Sequence, residues 1–459
     1  MSARRREKPH NVFLQARNIC LILFFVFLAS APRVLGQGQI AGTTQTASPP
    51  QGNAYSGTII SLEDLLTEAE QNNPQIQAVR HGWQAAKQIP SQVSTLPDPQ
   101  FTLQQFNVGS PRPFAGYSNS DFAYIGLGVS QDIPYPGKLR LRGQIAERDA
   151  DVVQQQYESV RRSVLAAVKA AYFQLAYLSK TLGILESDRQ LIQQVEKAAE
   201  AHYRSGMGNQ QDLLRAQLEQ TKLLREITMH HLEVAKLQAQ IKQLLSRSQS
   251  SPDIETADLP ETPLAYTFEE LLLATKTQNP EISGAQKMVE RQSFQVDLAH
   301  KDFYPDFNVQ YMWQRTDPAQ FRAYYVFSVG VRVPIYRSRK QRPELAQAEA
   351  NLSRSRSEAQ SETDQVASEL QTEFQTAQKT AELLKIYGEG LLPQARAGFQ
   401  AGVAAYENNR QDFQALLASF MDVLRLDEEY WKSAADRETA LVRLEELTGL
   451  SLRGEGAKR

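Results

Sequence analysis

Cysteine is almost missing: Cys20 is the only one in 459 residues. It lies inside the apolar run ICLILFFVFLA, which follows Arg4, Arg5, Arg6, Lys8 and Arg17 and precedes the small residues Ala29, Ala31 and Gly36. Basic start, apolar centre and small-residue exit predict a secretory signal peptide over residues 1–36. Its removal would take Cys20 with it, leaving a mature chain with no disulfide, no thiol metal ligand and no lipoprotein cysteine.

Long apolar runs are the second absence. Beyond that segment nothing approaches the ~20 consecutive apolar residues of a membrane helix, so an exported chain that re-enters a membrane must do so with β-strands. The third absence is catalytic signature. No GxSxG, HExxH, GxxxxGK or GxGxxG is present, and nothing argues for an enzyme or a cofactor. Basic excess is missing too. The signal segment holds six of the 50 basic and one of the 52 acidic residues. The remainder therefore has 44 basic against 51 acidic, net −7, which argues against nucleic acid as a partner. Only 41% of the chain is hydrophobic, and its polar residues are rich in Gln.

What is present is a long-period repeat. Residues 61–104 align without a gap on 267–310, matching Glu63/Glu269, Leu65/Leu271, Leu66/Leu272, Asn73/Asn279, Pro74/Pro280, Ile76/Ile282, Pro99/Pro305, Phe101/Phe307 and Gln104/Gln310. The fraction is low enough for chance between helical segments to compete, but the restrictive prolines are included. In each half Asn-Pro ends one helix and starts the next, because Asn is a good cap and Pro is tolerated in a first turn.

After each proline helix the pattern switches to period two. DFNVQYMWQR sets Phe307, Val309, Tyr311 and Trp313 against Asn308, Gln310, Met312 and Gln314, and YYVFSVGVRVP sets Tyr325, Phe327, Val329, Val331 and Val333 against Val326, Ser328, Gly330 and Arg332. The first half repeats the plan with QFTLQQFNV, the loop GSPRPFAGYSNS and FAYIGLGVSQDIP. Strands are expected at about 99–108, 122–133, 306–315 and 324–335, as one hairpin per half with one apolar and one small or polar face. That suits a membrane barrel, although a soluble sandwich has the same alternation. Aromatics such as Trp313, Tyr124 and Tyr325 would form a membrane girdle or, alternatively, a plain core.

The helices weigh against the sandwich. Heptad spacing runs through Ala146, Ala150, Val153, Tyr157, Val160, Val164, Ala167, Ala171, Leu178, Leu185, Ile192 and Ala199, which predicts a helix over 138–204 that needs partners. A second follows the YRSGMG turn to about Leu245, and the other half offers 341–401 and then a helix to Leu447. The pair His230 and His231 carries no cysteine and points two ways around a helix, which favours solvated surface histidines over a metal site.

These features together resemble the TolC-family outer membrane efflux proteins. The likeness covers about residues 58–450 and rests on LLTEAEQNNPQI with LLLATKTQNPEI, LPDPQF with FYPDF, VSQDIPYPGK with GVRVPIY, YRSGMGNQQDLL with FQAGVAAYENNRQDF, and the ending LVRLEELTGL. PDPQF and SQDIPYPGKLRLRGQIA look most like the heavy-metal efflux branch. The resemblance implies a mixed α and β protein: a homotrimer whose protomers each give four strands to one twelve-stranded outer membrane barrel, continued by a periplasmic α-helical tunnel. It implies a linker at 37–57, repeats at 58–250 and 264–450 joined by 251–263, and a tail at 451–459. Its partners would be outer membrane lipid, a periplasmic membrane-fusion adaptor and an inner-membrane RND-type pump that supplies the energy. A soluble periplasmic scaffold or adaptor is the competing reading.

By the same resemblance the tunnel closes at its periplasmic tip through Gln211 and Asp212 in the first half. In the second half Asp412 matches by context, while a strict count from Gly402 gives Asn408. Gly206 and Gly402 would mark the adaptor-docking tips. The plainer alternatives are solvated acids at helix starts and ordinary helix-terminating glycines. The barrel would present Phe307, Tyr311, Trp313, Tyr325 and Phe327 on its aromatic faces.

Overall fold

A computed structural model describes residues 60–106, 123–260, 262–315, 323–408 and 410–452. Contacts divide the chain at Tyr55 and Ser56, and the description below concerns the second unit. The expected signal peptide with Cys20, the linker at 37–57, most of both hairpin loops and residues 453–459 lie outside the described residues.

Capping chemistry sets the helix starts. Ser61 accepts the backbone N–H of Asp64 to open α1 (Leu62–Asn72), and Thr267 forms a capping box with Glu270 at α6 (Phe268–Gln278). Each of these helices ends at the asparagine of an Asn-Pro pair. Asn73 caps α2 (Pro74–Ala86) by accepting from Gln75 and Ile76, and Asn279 caps α7 (Pro280–Lys301) by accepting from Glu281 and Ile282. The segment after α2 is not continuously helical. It breaks at Lys87 and resumes as α3 (Ile89–Ser94) with a proline in its first turn, because Pro90 has no N–H to continue the ladder.

Four antiparallel strands follow in pairs: β1 (Gln100–Phe106) with β2 (Tyr124–Ile133), and β3 (Asp306–Arg315) with β4 (Tyr324–Arg332). They form one sheet in the order β1-β2-β3-β4. The two hairpins meet through β2 and β3, and among the described residues the outer edges of β1 and β4 have no strand partner.

The 67 residues of α4 (Lys138–Arg204) form one helix, about 100 Å long at 1.5 Å per residue. It is followed by α5 (Gln210–Leu244). In the second half α8 (Gln341–Lys385) does not continue as a plain helix to residue 401. A six-residue π-helical segment, Ile386–Leu391, intervenes before α9 (Leu392–Glu407). The last helix is α10 (Phe413–Thr448). α4 packs against α2 and α3 at its sheet end and against α5 further along, while α7 and then α10 lie between α4 and α8. Among the described residues the result is one layer four helices wide, open at both edges like the sheet.

The heptad positions Ala146, Ala150, Val164, Ala171, Leu178, Leu185, Ile192 and Ala199 are buried, whereas Val153, Tyr157, Val160 and Ala167 are half-buried. Around Ala166–Leu178 nearly every side of α4 is covered, because α1, α5 and α10 all reach it there. A second cluster, Leu185, Ile192, Leu223, Phe399, Phe413 and Phe420, holds the tips together.

Candidate functional site: the sheet face and the helical tips

Strand register decides which side chains share a face. Phe101 lies opposite Val129 and Leu103 opposite Leu127. Leu127 lies opposite Trp313, Val129 opposite Tyr311 and Ile133 opposite Phe307. Phe307, Val309, Tyr311 and Trp313 lie opposite Val331, Val329, Phe327 and Tyr325. One continuous apolar face results, and it contains Phe307, Tyr311, Trp313, Tyr325 and Phe327. The Tyr311 and Tyr325 rings stack across it at 5.9 Å.

This sheet is inside out for a soluble protein. Its apolar side chains are exposed, Phe101 at 83%, Tyr325 at 68% and Phe327 at 60%. On the other face, among Thr102, Gln104, Ser130, Asn308, Gln310 and Ser328, it is Met312 and Gln314 that are buried. Gly126 and Gly128 let those two long side chains lie flat, since a Cβ at either glycine would meet them at 3.2 Å. Tyr124 is not part of the apolar face. It belongs to the opposite parity of β2 and stacks on Phe106 at 5.7 Å, so it does not share a face with Trp313 and Tyr325. The 10-residue strands β2 and β3 extend about 33 Å at ~3.3 Å per residue, which at a tilt of ~40° would span about 25 Å.

At the far end of the helices, the turn from α4 to α5 needs both its glycines. Gly206 has φ +72°, and a Cβ on Gly208 would sit 3.0 Å from the backbone carbonyl carbon of His202. The N–H groups of Met207 and Gly208 both donate to the His202 carbonyl. Asn209 then caps α5, with exposed Gln211 and half-buried Asp212 in its first turn. The second tip differs from the sequence expectation. Gly402 is buried inside α9, against Ser419 and Leu416 of α10, so it is a helix-packing glycine and not the turn. The turn runs from Asn408, the exposed C-cap of α9, to Asp412, whose Oδ1 accepts the Ala415 N–H at 2.8 Å as the α10 N-cap.

Caps also give the register between the tips. Asn209 and Asp412 are both N-caps, and the position matching Asp212 is then Ala415, with Gln414 matching Gln211. Asp412 thus corresponds to a capping residue rather than to Asp212. Between the tips, the His202 and Tyr406 rings stack at 4.6 Å. Burial, with the neighbouring charge of Asp212 added, pushes the Tyr406 phenol above its ordinary range.

Residues 65–247 match the family model described as outer membrane efflux protein. No curated protein matches. A likeness in fold to solved structures extends over most of the chain. The outer-membrane channel OprN superposes with a TM-score of 0.75 at 17% identity, over 85% of this chain and 90% of that one. The channel-forming CusC gives 0.71 at 15%, over 84% and 91%. The outer membrane protein VceC of Vibrio cholerae gives 0.72 at 15%, over 85% and 97%. No helix among the described residues is long and apolar enough to cross a membrane.

Three polar arrangements join distant segments that local periodicity does not connect. Asn73 Nδ2 donates to the Leu244 carbonyl at 2.8 Å, and Asn279 Nδ2 to the Leu447 carbonyl at 3.1 Å. Each Asn-Pro asparagine therefore caps one helix with its oxygen and closes the end of another with its nitrogen. At the base of the sheet, buried Lys138 pairs with Asp302 and Asp306, both at 2.9 Å, locking the β2–α4 corner to the α7–β3 corner. Deeper in the helices, Asp188 of α4 and Asp427 of α10 are 5% and 3% exposed. Arg396 bonds Asp427 at 2.7 Å, while Asp188 Oδ2 has no hydrogen-bond partner. His230 is half-buried and His231 exposed on α5.

Burial pushes the Asp188 carboxyl up to about 6, and the charge of Asp427 adds to the rise against an opposing Arg396. The folded protein therefore holds the Asp188 proton more tightly than the unfolded chain. The stability this contributes is complete below about pH 4 and is lost as pH rises through about 6, by ~2–3 kcal/mol per copy. Asp188→Asn is expected to flatten denaturant-unfolding stability across that window and to raise it at pH 8. An unchanged pH slope would show that Asp188 ionises without cost.

Proposed function

We propose that the protein is a passive exit duct in the outer membrane, carrying solutes such as metal cations or small toxic compounds from an inner-membrane pump to the exterior. The observation that carries this reading is the inside-out sheet, whose exposed face fits hydrocarbon and whose polar face fits a wet lumen. A soluble scaffold or adaptor would hide that apolar face.

Three copies joined edge to edge, β4 of one to β1 of the next, close a twelve-stranded barrel, and the open helical layers close beneath it into a periplasmic tunnel. Residues 58–250 and 264–450 act as two repeats of one strand-hairpin and helix-hairpin unit, linked by 251–263. The tips around Gly206 and the Asn408–Asp412 turn receive the adaptor. Asp212, with Gln211 beside it, forms the narrow acidic ring, and Asp412 adds charge while capping α10. Acidic side chains repeated about an axis favour cations.

Planar-bilayer conductance tests this. Wild-type protein is expected to open cation-preferring channels, and Asp212→Asn to shift the cation-to-anion permeability ratio toward unity while leaving assembly intact. Absence of any conductance would overturn the duct. An unchanged ratio would remove Asp212 from the constriction.

A further inference from the structure

The apolar face does not end with β4. Past Val331, the residues Val333, Ile335 and Tyr336 carry the exposed apolar run on, at 54%, 73% and 69%. Immediately after them come Arg337, Arg339, Lys340 and Arg342, all exposed. The backbone folds this run into a tight turn, with the N–H groups of Arg339 and Lys340 donating to the Tyr336 carbonyl and that of Arg342 to the Arg337 carbonyl. Four cations are thereby gathered in one turn at the end of the lipid-facing stripe. None makes an ion pair with another described residue. Arg337 Nε spends one hydrogen bond on the Pro334 carbonyl, and Glu344 is the one acid in the first turn of α8.

Lys138, at the same level, behaves differently. Lys138 is 3% exposed and neutralised by Asp302 and Asp306, which is how this fold treats a cation it needs for its own structure. The 337–342 cluster is left exposed, where aromatic and apolar side chains give way to the helices. Amphipathic rings such as Tyr336 and the exposed Tyr304 suit the headgroup level of a bilayer. Cations placed there meet phosphodiester groups in a medium drier than bulk water, where charge-assisted hydrogen bonds are strengthened.

We propose that Arg337, Arg339, Lys340 and Arg342 form a binding site for the headgroups of anionic phospholipid in the leaflet next to the helical layer. The site anchors the sheet at its depth and fixes which end faces the periplasm. It rests on the outer membrane reading above.

The test is native mass spectrometry of the full chain extracted from membranes, after exposure to equimolar phosphatidylglycerol and phosphatidylcholine in detergent. Wild type is expected to retain phosphatidylglycerol over phosphatidylcholine by at least about fivefold. The quadruple variant R337Q/R339Q/K340Q/R342Q should fall to near parity, while R354Q/R356Q, exposed arginines further along α8, should keep the preference. Should the quadruple variant fail to assemble, R337Q/R339Q and K340Q/R342Q are measured separately, each expected to lose a part of it. Equal retention of the two lipids by wild type, or a preference that the variants keep, would overturn the site. Double variants that fall apart into single chains yet keep the lipid preference would assign the cations to a neighbouring copy instead. Recovery of the protein in the soluble fraction with neither lipid bound would overturn the membrane reading itself.

Discussion

Arginine at Leu127 or Val329 is expected to prevent insertion of the protein into the outer membrane. Both side chains are 55% exposed near the middle of the apolar face, and an arginine at the bilayer midplane of a strand costs ~2–4 kcal/mol. In a closed assembly each substitution is repeated in every copy, so L127R/V329R multiplies that cost. The informative comparison is Ser328→Arg, one residue along β4 and on the polar face, which should insert normally because its side chain points to water. The amount of protein in the outer membrane fraction reads the difference. If L127R and S328R behave alike, the face assignment is wrong. A soluble sandwich with the apolar side covered predicts instead that L127R destroys folding and that the protein does not accumulate at all.

The second large effect is expected at the two Asn-Pro asparagines. Asn73 and Asn279 are 5% and 3% exposed, and each side chain performs two tasks. Loss of an N-cap costs ~1 kcal/mol, and a carbonyl left buried without its donor costs ~1–3 kcal/mol more. Asn73→Ala and Asn279→Ala should therefore each destabilise by ~2–4 kcal/mol in denaturant unfolding followed by circular dichroism. Asn73→Asp separates the tasks, since it keeps the capping oxygen and replaces the amide donor with a carboxylate facing the Leu244 carbonyl. It should lose most of the stability that Asn73→Ala loses. If N73D is as stable as wild type, the bond from Asn73 Nδ2 to the Leu244 carbonyl contributes nothing and the asparagine acts only as a cap.

Features written within a few turns of chain were legible in the sequence. Period-two alternation marked the apolar and polar faces of β3 and β4, and heptad spacing with the YRSGMG turn marked α4 and its end. The repeated Asn-Pro located both capped breaks. The misreadings have local causes. Gly402 resembles a terminator because glycine ends many helices, yet here the missing side chain serves close packing on α10. The π-helical turn at Ile386–Leu391 preserves helical spacing closely enough to hide in a periodicity count, and its signs in the sequence are Gly388, Gly390 and the following Pro393.

Arrangements across the chain were out of reach for a different reason. Lys138 and Asp306 are separated by 168 residues, and Asn73 and Leu244 by 171. Asp188 and Asp427 sit on different halves of the chain, each looking like an ordinary acid on a polar helix. Their partnership exists only once α10 has been laid beside α4. The repeat offered a clue that was usable in principle: with Asn209 and Asp412 recognised as paired caps, Ala415 falls opposite Asp212, and the acid is seen to belong to one half only.

The claim on which everything else depends is closure of the open sheet and the open helical layer by further copies of the chain. Electron cryomicroscopy of the protein extracted from membranes in detergent tests it most directly. The account predicts threefold particles with a detergent belt around a twelve-stranded barrel and a hollow helical rod about 100 Å long beneath it. Single chains or closed particles with no belt, their apolar sheet face buried against protein, would contradict it.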